Sequence, residues 1–311
     1  MSQGKILVIR GGAIGDFILT LPVLAALRRQ FPDTALEVLG YPHIASLAAA
    51  GQLVDAVRPI EARPLAGFFA RAGDLDFELS SYFAGCHVIF SYLFDPDEIF
   101  RDNLARITKA QIIQGPHRPL EGRAVHATDQ LLEPLQRLAI FDADVEPRIA
   151  LGASLPTSLR PTLAVHPGSG GERKNWPEAA WRELLGKLVE GTDLDLLLVG
   201  GEAEEGRLER LAQAVPADRV RVRRAIPLPA LAAELRGCVG FAGHDSGISH
   251  LAAAVGLPGL VLWGPTNATV WRPRSDRFEI LHGGDDLGAL GVEPVWEALR
   301  RRLPRWADGQ R

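Results

Sequence analysis

Short apolar runs alternate along the chain with longer segments in which apolar residues recur every three or four positions. The first apolar run is 5–9, and the following segment, 17–30, places Leu19, Val23 and Leu27 on one helical face. Runs of the first kind are typical of buried strands, and segments of the second kind are typical of amphipathic helices. Their alternation predicts an α/β protein built from βαβ units around parallel sheets.

The same pattern extends over most of the sequence and is interrupted once. Further strands are predicted at 36–39, 57–60, 87–92, 111–113, 162–166, 194–199, 219–222, 239–242 and 259–263. Helices are predicted at 44–50, 64–72, 96–107, 126–139, 178–190, 204–215, 228–237, 246–255 and 293–303. Between residues 141 and 161 the periodicity lapses in a segment rich in proline and glycine, which is typical of a linker. We therefore expect two Rossmann-like doubly wound domains, residues 1–152 and 153–311, facing a central cleft.

Composition narrows the classes of function. The 311 residues are 47% hydrophobic and 23% charged, as in ordinary soluble enzymes. A net charge of -4 gives no basic surface of the kind that binds nucleic acid. Two cysteines, Cys86 and Cys238, are too few for a disulfide framework or a thiolate metal site. No signal peptide or membrane-spanning segment is recognisable, so the expected location is the cytoplasm, at or near the inner membrane surface.

The segment from His244 to Leu251 lies between an apolar run and an alanine-rich helical run. A strand that turns through Asp245, Ser246 and Gly247 into a helix directs backbone N–H groups towards one point, with the positive end of the helix dipole behind them. Such a turn is suited to binding an anion. The alternative interpretation is that Asp245 or Ser246 is an ordinary helix N-cap.

The loop from Gly11 to Asp16 follows the first predicted strand. It resembles a dinucleotide-binding fingerprint, but Arg10 stands where the first glycine of that fingerprint is required. A tight turn is therefore the alternative interpretation. Asp16 lies in the first turn of a predicted helix, which would keep its carboxylate ionised and able to act as a general base.

The loop from His166 to Pro177 combines glycines and Ser169 with the cations Arg173 and Lys174. Glycine allows the backbone to approach phosphate oxygens closely, and lysine supplies a point charge. A solvated basic loop is the alternative. Glu202 follows the next strand and would accept hydrogen bonds from ribose hydroxyls or favour a helix dipole. Because the loops after parallel strands share one edge of a sheet, we expect them to converge.

No arrangement of residues indicates a metal site. Asp-x-Asp pairs recur in this acidic chain, among them those that begin at Asp74, Asp95 and Asp193, and such recurrence indicates chance. His244 and His250 are six residues apart, which does not place them on one helical face. We expect neither a metal nor a cofactor.

Four motifs, in order along the chain, carry a resemblance to a known family. They are Ile6 to Arg10 with Gly15-Asp16 and Leu21-Pro22, His166 to Gly168 with Lys174 to Pro177, Asp245 to Ala252, and Gly264 to Thr266. Together they resemble glycosyltransferase family 9, the lipopolysaccharide heptosyltransferases that use ADP-heptose. The resemblance spans nearly the whole chain and is sharpest in the C-terminal half.

This resemblance implies the two-domain glycosyltransferase B fold, with the acceptor bound by the N-terminal domain and the ADP-sugar by the C-terminal domain. Asp16 would be the general base that takes the proton of the acceptor hydroxyl. Lys174 and backbone N–H groups of the 246–248 turn would hold the diphosphate in place of a metal. The implied nucleotide-sugar contacts are Ser169, Gly170, Lys174, Glu202, Asp245, Ser246, Gly247, Ile248 and His250. Residues expected near the acceptor or the phosphates are Gly12, Gly15, Arg63 and Arg101.

The leading hypothesis is an inverting, metal-independent transfer of heptose, or a related sugar, from an ADP-sugar to a lipopolysaccharide core or another glycan acceptor. Two alternatives use the same fold: a sugar-nucleotide-binding protein without catalysis, and a Rossmann-fold nucleotide-dependent oxidoreductase or epimerase. The expected partners are the nucleotide-sugar donor and a glycan or glycolipid acceptor, with peripheral association at the inner membrane and no nucleic acid.

Overall fold

The chain forms two compact α/β units in a computed structural model. The model describes residues 4–151, 160–201, 204 and 206–307, with residues 304–307 described as backbone only. The first unit contains Met1–Ile149 and the second Ala150–Arg311. The boundary predicted between residues 152 and 153 lies outside the described residues.

The first unit has one parallel sheet with the strand order β3-β2-β1-β4-β5. Its strands are β1 (Lys5–Arg10), β2 (Ala35–Gly40), β3 (Ala56–Pro59), β4 (Val88–Ser91) and β5 (Gln111–Gln114). Its helices are α1 (Ile14–Ile18), α2 (Leu21–Gln30), α3 (Pro42–Ala50), α4 (Phe77–Ala84), α5 (Ile99–Ala105) and α6 (Ala127–Leu132). Short 3-10 segments cover Arg63–Phe69, Glu121–Arg123 and Glu133–Leu138.

The second unit has a parallel sheet with the strand order β11-β10-β9-β6-β7-β8. Its strands are β6 (Thr162–His166), β7 (Asp195–Gly200), β8 (Val220–Arg224), β9 (Gly240–His244), β10 (Gly259–Trp263) and β11 (Phe278–His282). Its helices are α7 (Glu178–Gly191), α8 (Arg207–Ala212), α9 (Leu228–Arg236), α10 (Gly247–Ala254), α11 (Ala268–Trp271) and α12 (Val292–Ala307). Glu172–Lys174 and Leu287–Ala289 form 3-10 turns.

In both sheets the chain adds strands on one side of the first strand and then returns to add strands on the other. This reversal creates a topological switch point beside β1 in the first sheet and beside β6 in the second. Ligands of doubly wound proteins bind at such points, outside the carboxyl ends of the strands. The predicted fold class of two Rossmann-like α/β domains is confirmed.

Burial distinguishes the central strands of each sheet from those at its edges. β6, β9 and β10 are buried along their full length, whereas β3 and β11 are partly exposed. The central strands read as continuous apolar runs because helices cover both faces of a parallel sheet. Among the described helices, none is long and apolar enough to cross a membrane.

The observed elements differ from the prediction in several regions. The single helix predicted at 17–30 is divided into α1 and α2, because Pro22 has no N–H group to continue the helix. The segment predicted as a helix at 64–72 is a 3-10 segment, with the side-chain amide of Asn103 bound to the carbonyls of Phe68 and Ala70. The helix predicted at 126–139 is divided into α6 and a 3-10 segment, and the short helices α4 and α11 and the edge strand β11 were not predicted.

Candidate active site

The loop after β1 holds Asp16 in a defined position. Asp16 is the third residue of α1, and its Oδ2 accepts a hydrogen bond from the backbone N–H of Ala13 at 3.0 Å. Gly12 has a φ of +97°, and a Cβ there would lie 2.9 Å from Oδ2 of Asp16, so this turn requires glycine. Gly15 lies in α1 itself. The Asp16 side chain remains 31% exposed, so an acceptor hydroxyl can reach it.

Arg10, at the end of β1, is a buried cation beside Asp16. Its Nη2 lies 3.7 Å from Oδ1 of Asp16, and its Nη1 donates to the carbonyl of His117 at 2.8 Å. Burial lowers the pKa of Arg10, although the Asp16 carboxylate opposes that effect. Arginine stays protonated in proteins, so a fixed positive charge adjoins the candidate base. In the sequence Arg10 stands out as a departure from a glycine motif and as the end of the first family motif, and its charge at the end of a buried strand was a usable signal of a site residue.

Arg63 and Arg101 are the two arginines predicted near the acceptor. Arg63 is exposed at the start of the 3-10 segment after β3, two strands away from β1. Arg101 is in α5 and pairs with Glu98 at 2.7 Å on the surface. Within the described residues no hydrogen bond or ion pair joins either arginine to Asp16, so their proposed contact with an acceptor stays a prediction.

In the second unit, Lys174 and Asp245 join the loops after β6 and β9. Nζ of Lys174 lies 2.7 Å from Oδ2 of Asp245, whose side chain is 9% exposed. These strands are neighbours at the switch point, so the ion pair connects the two sides of the predicted anion site. The pair also directs the lysine towards the residues that begin α10.

Ser246 occupies the N-cap position of α10, but its side chain does not act as an ordinary helix cap. Its hydroxyl makes no capping hydrogen bond and instead lies 3.2 Å from Nδ1 of His166. In the described part of the chain, the N–H groups of Gly247 and Ile248 have no hydrogen-bond acceptor. Two donors at the positive end of a helix dipole can therefore bind an anion.

His244 connects three chain segments and was missed as a site residue. Its Nε2 accepts the backbone N–H of Trp176 at 2.9 Å, and its Nδ1 lies 3.3 Å from the carbonyl of Gly168. The first bond requires an unprotonated Nε2, so the proton is on Nδ1 and is donated to Gly168. The ring also packs edge-on against Trp181. His244 thereby fixes the Lys174 loop relative to the end of β9.

Burial holds His166 and His244, which end β6 and β9, in the neutral form. Burial lowers the pKa of His166 to about 4. Burial, together with the nearby His166, lowers the pKa of His244 to about 3. Neutral rings can accept hydrogen bonds, which the contact between His244 and Trp176 requires. His250 is buried in α10.

The glycine-rich loop after β6 is partly fixed by its own hydroxyl. Ser169 is buried, and its Oγ lies 2.9 Å from Oδ1 of Asn175 and 3.0 Å from the carbonyl of Gly171. Gly170 has open space where a side chain would be. Ser169 is thus positioned to shape the loop, while Gly170 leaves room for a ligand to approach the backbone.

Glu204 is a second carboxylate at this edge, after β7. It is 5% exposed, its Oε2 accepts the N–H of Gly201 at 2.7 Å, and it packs against Gly168. Glu202, predicted to contact ribose, lies outside the described residues. Over the described ranges, no group of three or more His, Cys, Asp or Glu side chains is arranged to hold a metal ion.

Comparison with known proteins places this geometry in a family. A family model described as glycosyltransferase family 9 (heptosyltransferase) matches residues 132–287, half of the chain. Lipopolysaccharide heptosyltransferase 1 of Salmonella typhimurium is 43% identical over 95 residues, which cover 30% of this chain and 29% of that protein. The match to this curated relative therefore spans less than a third of the relative's length.

Two solved structures share the fold over almost the whole chain. The glycosyl transferase family 9 protein from Veillonella parvula has a TM-score of 0.78 at 16% identity, covering 98% of this chain and 99% of its own. The E. coli heptosyltransferase WaaC with ADP has a TM-score of 0.76 at 20% identity, covering 96% and 99%. The matched family segment contains the loops of Lys174 and Asp245 described above. This chain belongs to glycosyltransferase family 9.

Proposed function

We propose that this protein transfers a heptosyl group from ADP-heptose to a sugar hydroxyl of a lipopolysaccharide core. The observation that carries the proposal is the junction of β6 and β9, where Lys174 and the unbonded N–H groups of Gly247 and Ile248 provide a site for a diphosphate. The names of the relatives support the substrates: one is a lipopolysaccharide heptosyltransferase, and one solved neighbour was crystallised with ADP.

The reaction is a single displacement at the anomeric carbon of the donor sugar. The acceptor oxygen forms a bond to that carbon while the bond to the phosphate oxygen breaks, and ADP leaves with the electron pair. The carboxylate of Asp16 takes the proton of the acceptor hydroxyl. One displacement inverts the configuration at the anomeric carbon.

Charge on the departing ADP is stabilised by this chain's own groups. Lys174 contributes a full positive charge, and the amino end of α10 contributes two N–H donors with the helix dipole behind them. Fixed donors and cations can serve the leaving group as a metal does, so we propose a metal-independent reaction. His244 acts as a positioning residue, because it fixes the segment between Lys174 and Trp176.

The test is to incubate the purified protein with ADP-heptose and a truncated lipopolysaccharide acceptor, with and without a chelator. The expected result is a product heavier by one heptose, one ADP released per transfer, an inverted anomeric configuration by NMR and no loss of rate with the chelator. ADP binding without transfer to any acceptor in a panel would favour a sugar-nucleotide-binding protein instead. Loss of transfer on chelation would overturn the metal-independent step alone.

A further inference from the structure

Two aromatic rings form an exposed pair at the carboxyl edge of the first sheet. Phe94 follows β4 and is 68% exposed, and His117 follows β5. Their ring centroids are 4.6 Å apart. Both rings are accessible to a ligand, and they lie where the loops of the first unit emerge.

The loops that carry the pair are tied together. The side-chain amide of Gln114 donates to the carbonyl of Leu93 at 3.0 Å. The buried ring of Tyr92 lies against Gly115, where a Cβ would be 2.3 Å from a ring carbon. The Tyr92 hydroxyl in turn donates to the carbonyl of Leu131 at 2.8 Å. The pair is therefore presented by a fixed backbone and needs little ordering when it binds a ligand.

Arg10 links the pair to the candidate base. Its Nη1 donates to the carbonyl of His117 at 2.8 Å, and its Nη2 lies 3.7 Å from Oδ1 of Asp16. One guanidinium group thus separates the backbone of the His117 loop from the carboxylate. A ligand with a hydroxyl at Asp16 would bring its next few atoms to the Phe94–His117 pair.

We propose that Phe94 and His117 form a stacking platform for a pyranose ring of the acceptor, either the ring that carries the reacting hydroxyl or the next one along the glycan. This inference rests on the proposed function, because it takes Asp16 as the base. The faces of aromatic rings are negative, so they attract the polarised C–H groups on the face of a sugar ring. The ring nitrogens of His117 make no hydrogen bond within the described part of the chain and can bind sugar hydroxyls.

A sugar fits this platform better than an acyl chain. The reacting hydroxyl must lie within about 3 Å of the Asp16 carboxylate. Arg10 connects the loop of the aromatic pair to the same carboxylate. The sugar that bears the reacting hydroxyl, or the next sugar along the glycan, is therefore the part of the acceptor that can reach the two rings. The histidine also supplies polar groups that a hydrocarbon chain would leave unused.

The experiment compares wild type with Phe94→Ala and Phe94→Tyr, using a deacylated truncated lipopolysaccharide as the probe. Phe141→Ala is the matched control: Phe141 is 74% exposed, and Asp142 beside it pairs with Arg29 in the last turn of α2, at the opposite edge of the sheet. Calorimetry gives the Kd of the probe, steady-state transfer gives KM and kcat, and circular dichroism checks folding.

Phe94→Ala is expected to raise the Kd and KM of the probe roughly 2- to 10-fold, with kcat and the donor KM nearly unchanged. Phe94→Tyr and Phe141→Ala should resemble wild type. Equal Kd values in wild type and Phe94→Ala would overturn the platform, and so would an effect seen only with an acylated acceptor. If wild type binds the probe but transfers nothing, the proposed function fails, and the Kd comparison still decides the platform.

Discussion

At the scale of single residues, a backbone N–H group and a buried arginine side chain both contact Asp16. The N–H of Ala13 fixes one carboxylate oxygen, and Arg10 supplies a buried positive charge near the other. A carboxylate held in this way has a fixed orientation, and it remains accessible to a ligand.

Asp16→Asn is expected to lower kcat by about 100- to 10,000-fold, because the amide keeps the shape of the side chain but cannot accept the proton. Rates of transfer from ADP-heptose to the truncated acceptor measure the effect, and calorimetry with ADP should give an unchanged Kd. Asp142→Asn, which alters an exposed ion pair with Arg29, is the control and should keep its activity. Retention of more than about a tenth of the wild-type kcat by Asp16→Asn would rule out the base.

At the scale of elements, two neutral histidines connect the carboxyl ends of β6 and β9. His166 ends β6 and contacts Ser246, while His244 ends β9 and binds the segment of Trp176. His166 contacts the Ser246 hydroxyl, and Ser246 makes no side-chain cap on α10. The geometry of the Lys174 and Asp245 loops is thus coupled to the protonation of two buried rings.

This coupling predicts that the second domain loses stability in mild acid. Both histidines have a native pKa below 6.5, about 4 for His166 and about 3 for His244, so the unfolded chain binds protons that the native domain does not. Stability from the neutral rings is complete above about pH 6.5 and falls as the pH drops towards 4, by on the order of a few kcal/mol. Urea unfolding between pH 7 and pH 4.5 measures the slope.

His166→Asn should flatten this pH dependence, because it removes one of the two groups. His282→Asn, at the exposed end of β11, is the matched control and should leave the slope as in wild type. An identical slope in wild type and His166→Asn would show that other groups cause the acid sensitivity.

Most elements were predictable from the spacing of apolar residues in the sequence. The loops that carry the candidate site were predictable because each follows a strand that is a continuous apolar run. The loops of Asp16, Lys174 and Asp245 each follow such a run, and parallel pairing brings those of one sheet to one edge. The contact of His244 with Trp176 was not predictable, since it joins residues 68 positions apart and no local pattern encodes it. The edge strand β11 was missed because it is only partly buried and lacks a strong apolar signal.

At the scale of the whole molecule, the residues proposed to bind the diphosphate belong to the second domain, and the candidate base belongs to the first. Ser169, Lys174 and Asp245 lie in loops of one sheet, joined by hydrogen bonds and an ion pair. Asp16 lies in the other domain, where the exposed aromatic pair also lies. The proposed nucleotide binding and the proposed acceptor recognition are therefore separable by experiment.

Addition of ADP is expected to slow backbone hydrogen exchange most strongly in residues 168–176 and 245–250, because the phosphates bind N–H groups there. Mass spectrometry of peptides from the exchanged protein makes the measurement. AMP, which lacks the second phosphate, is the matched ligand and should protect the 245–250 segment less. Strongest protection in the 11–16 loop would place the nucleotide in the wrong domain for this mechanism.

The two sheets add their strands in the same order, although no repeat is visible in the sequence. Asp16 follows the first strand of one sheet, and the glycine-rich Ser169 loop follows the first strand of the other. The same position in the two sheets thus holds the candidate base in one domain and the loop proposed to bind phosphate in the other. A scaffold of this kind can acquire new chemistry when one loop changes and the core stays intact. Functional differences between the two domains are therefore expected first at these two turns.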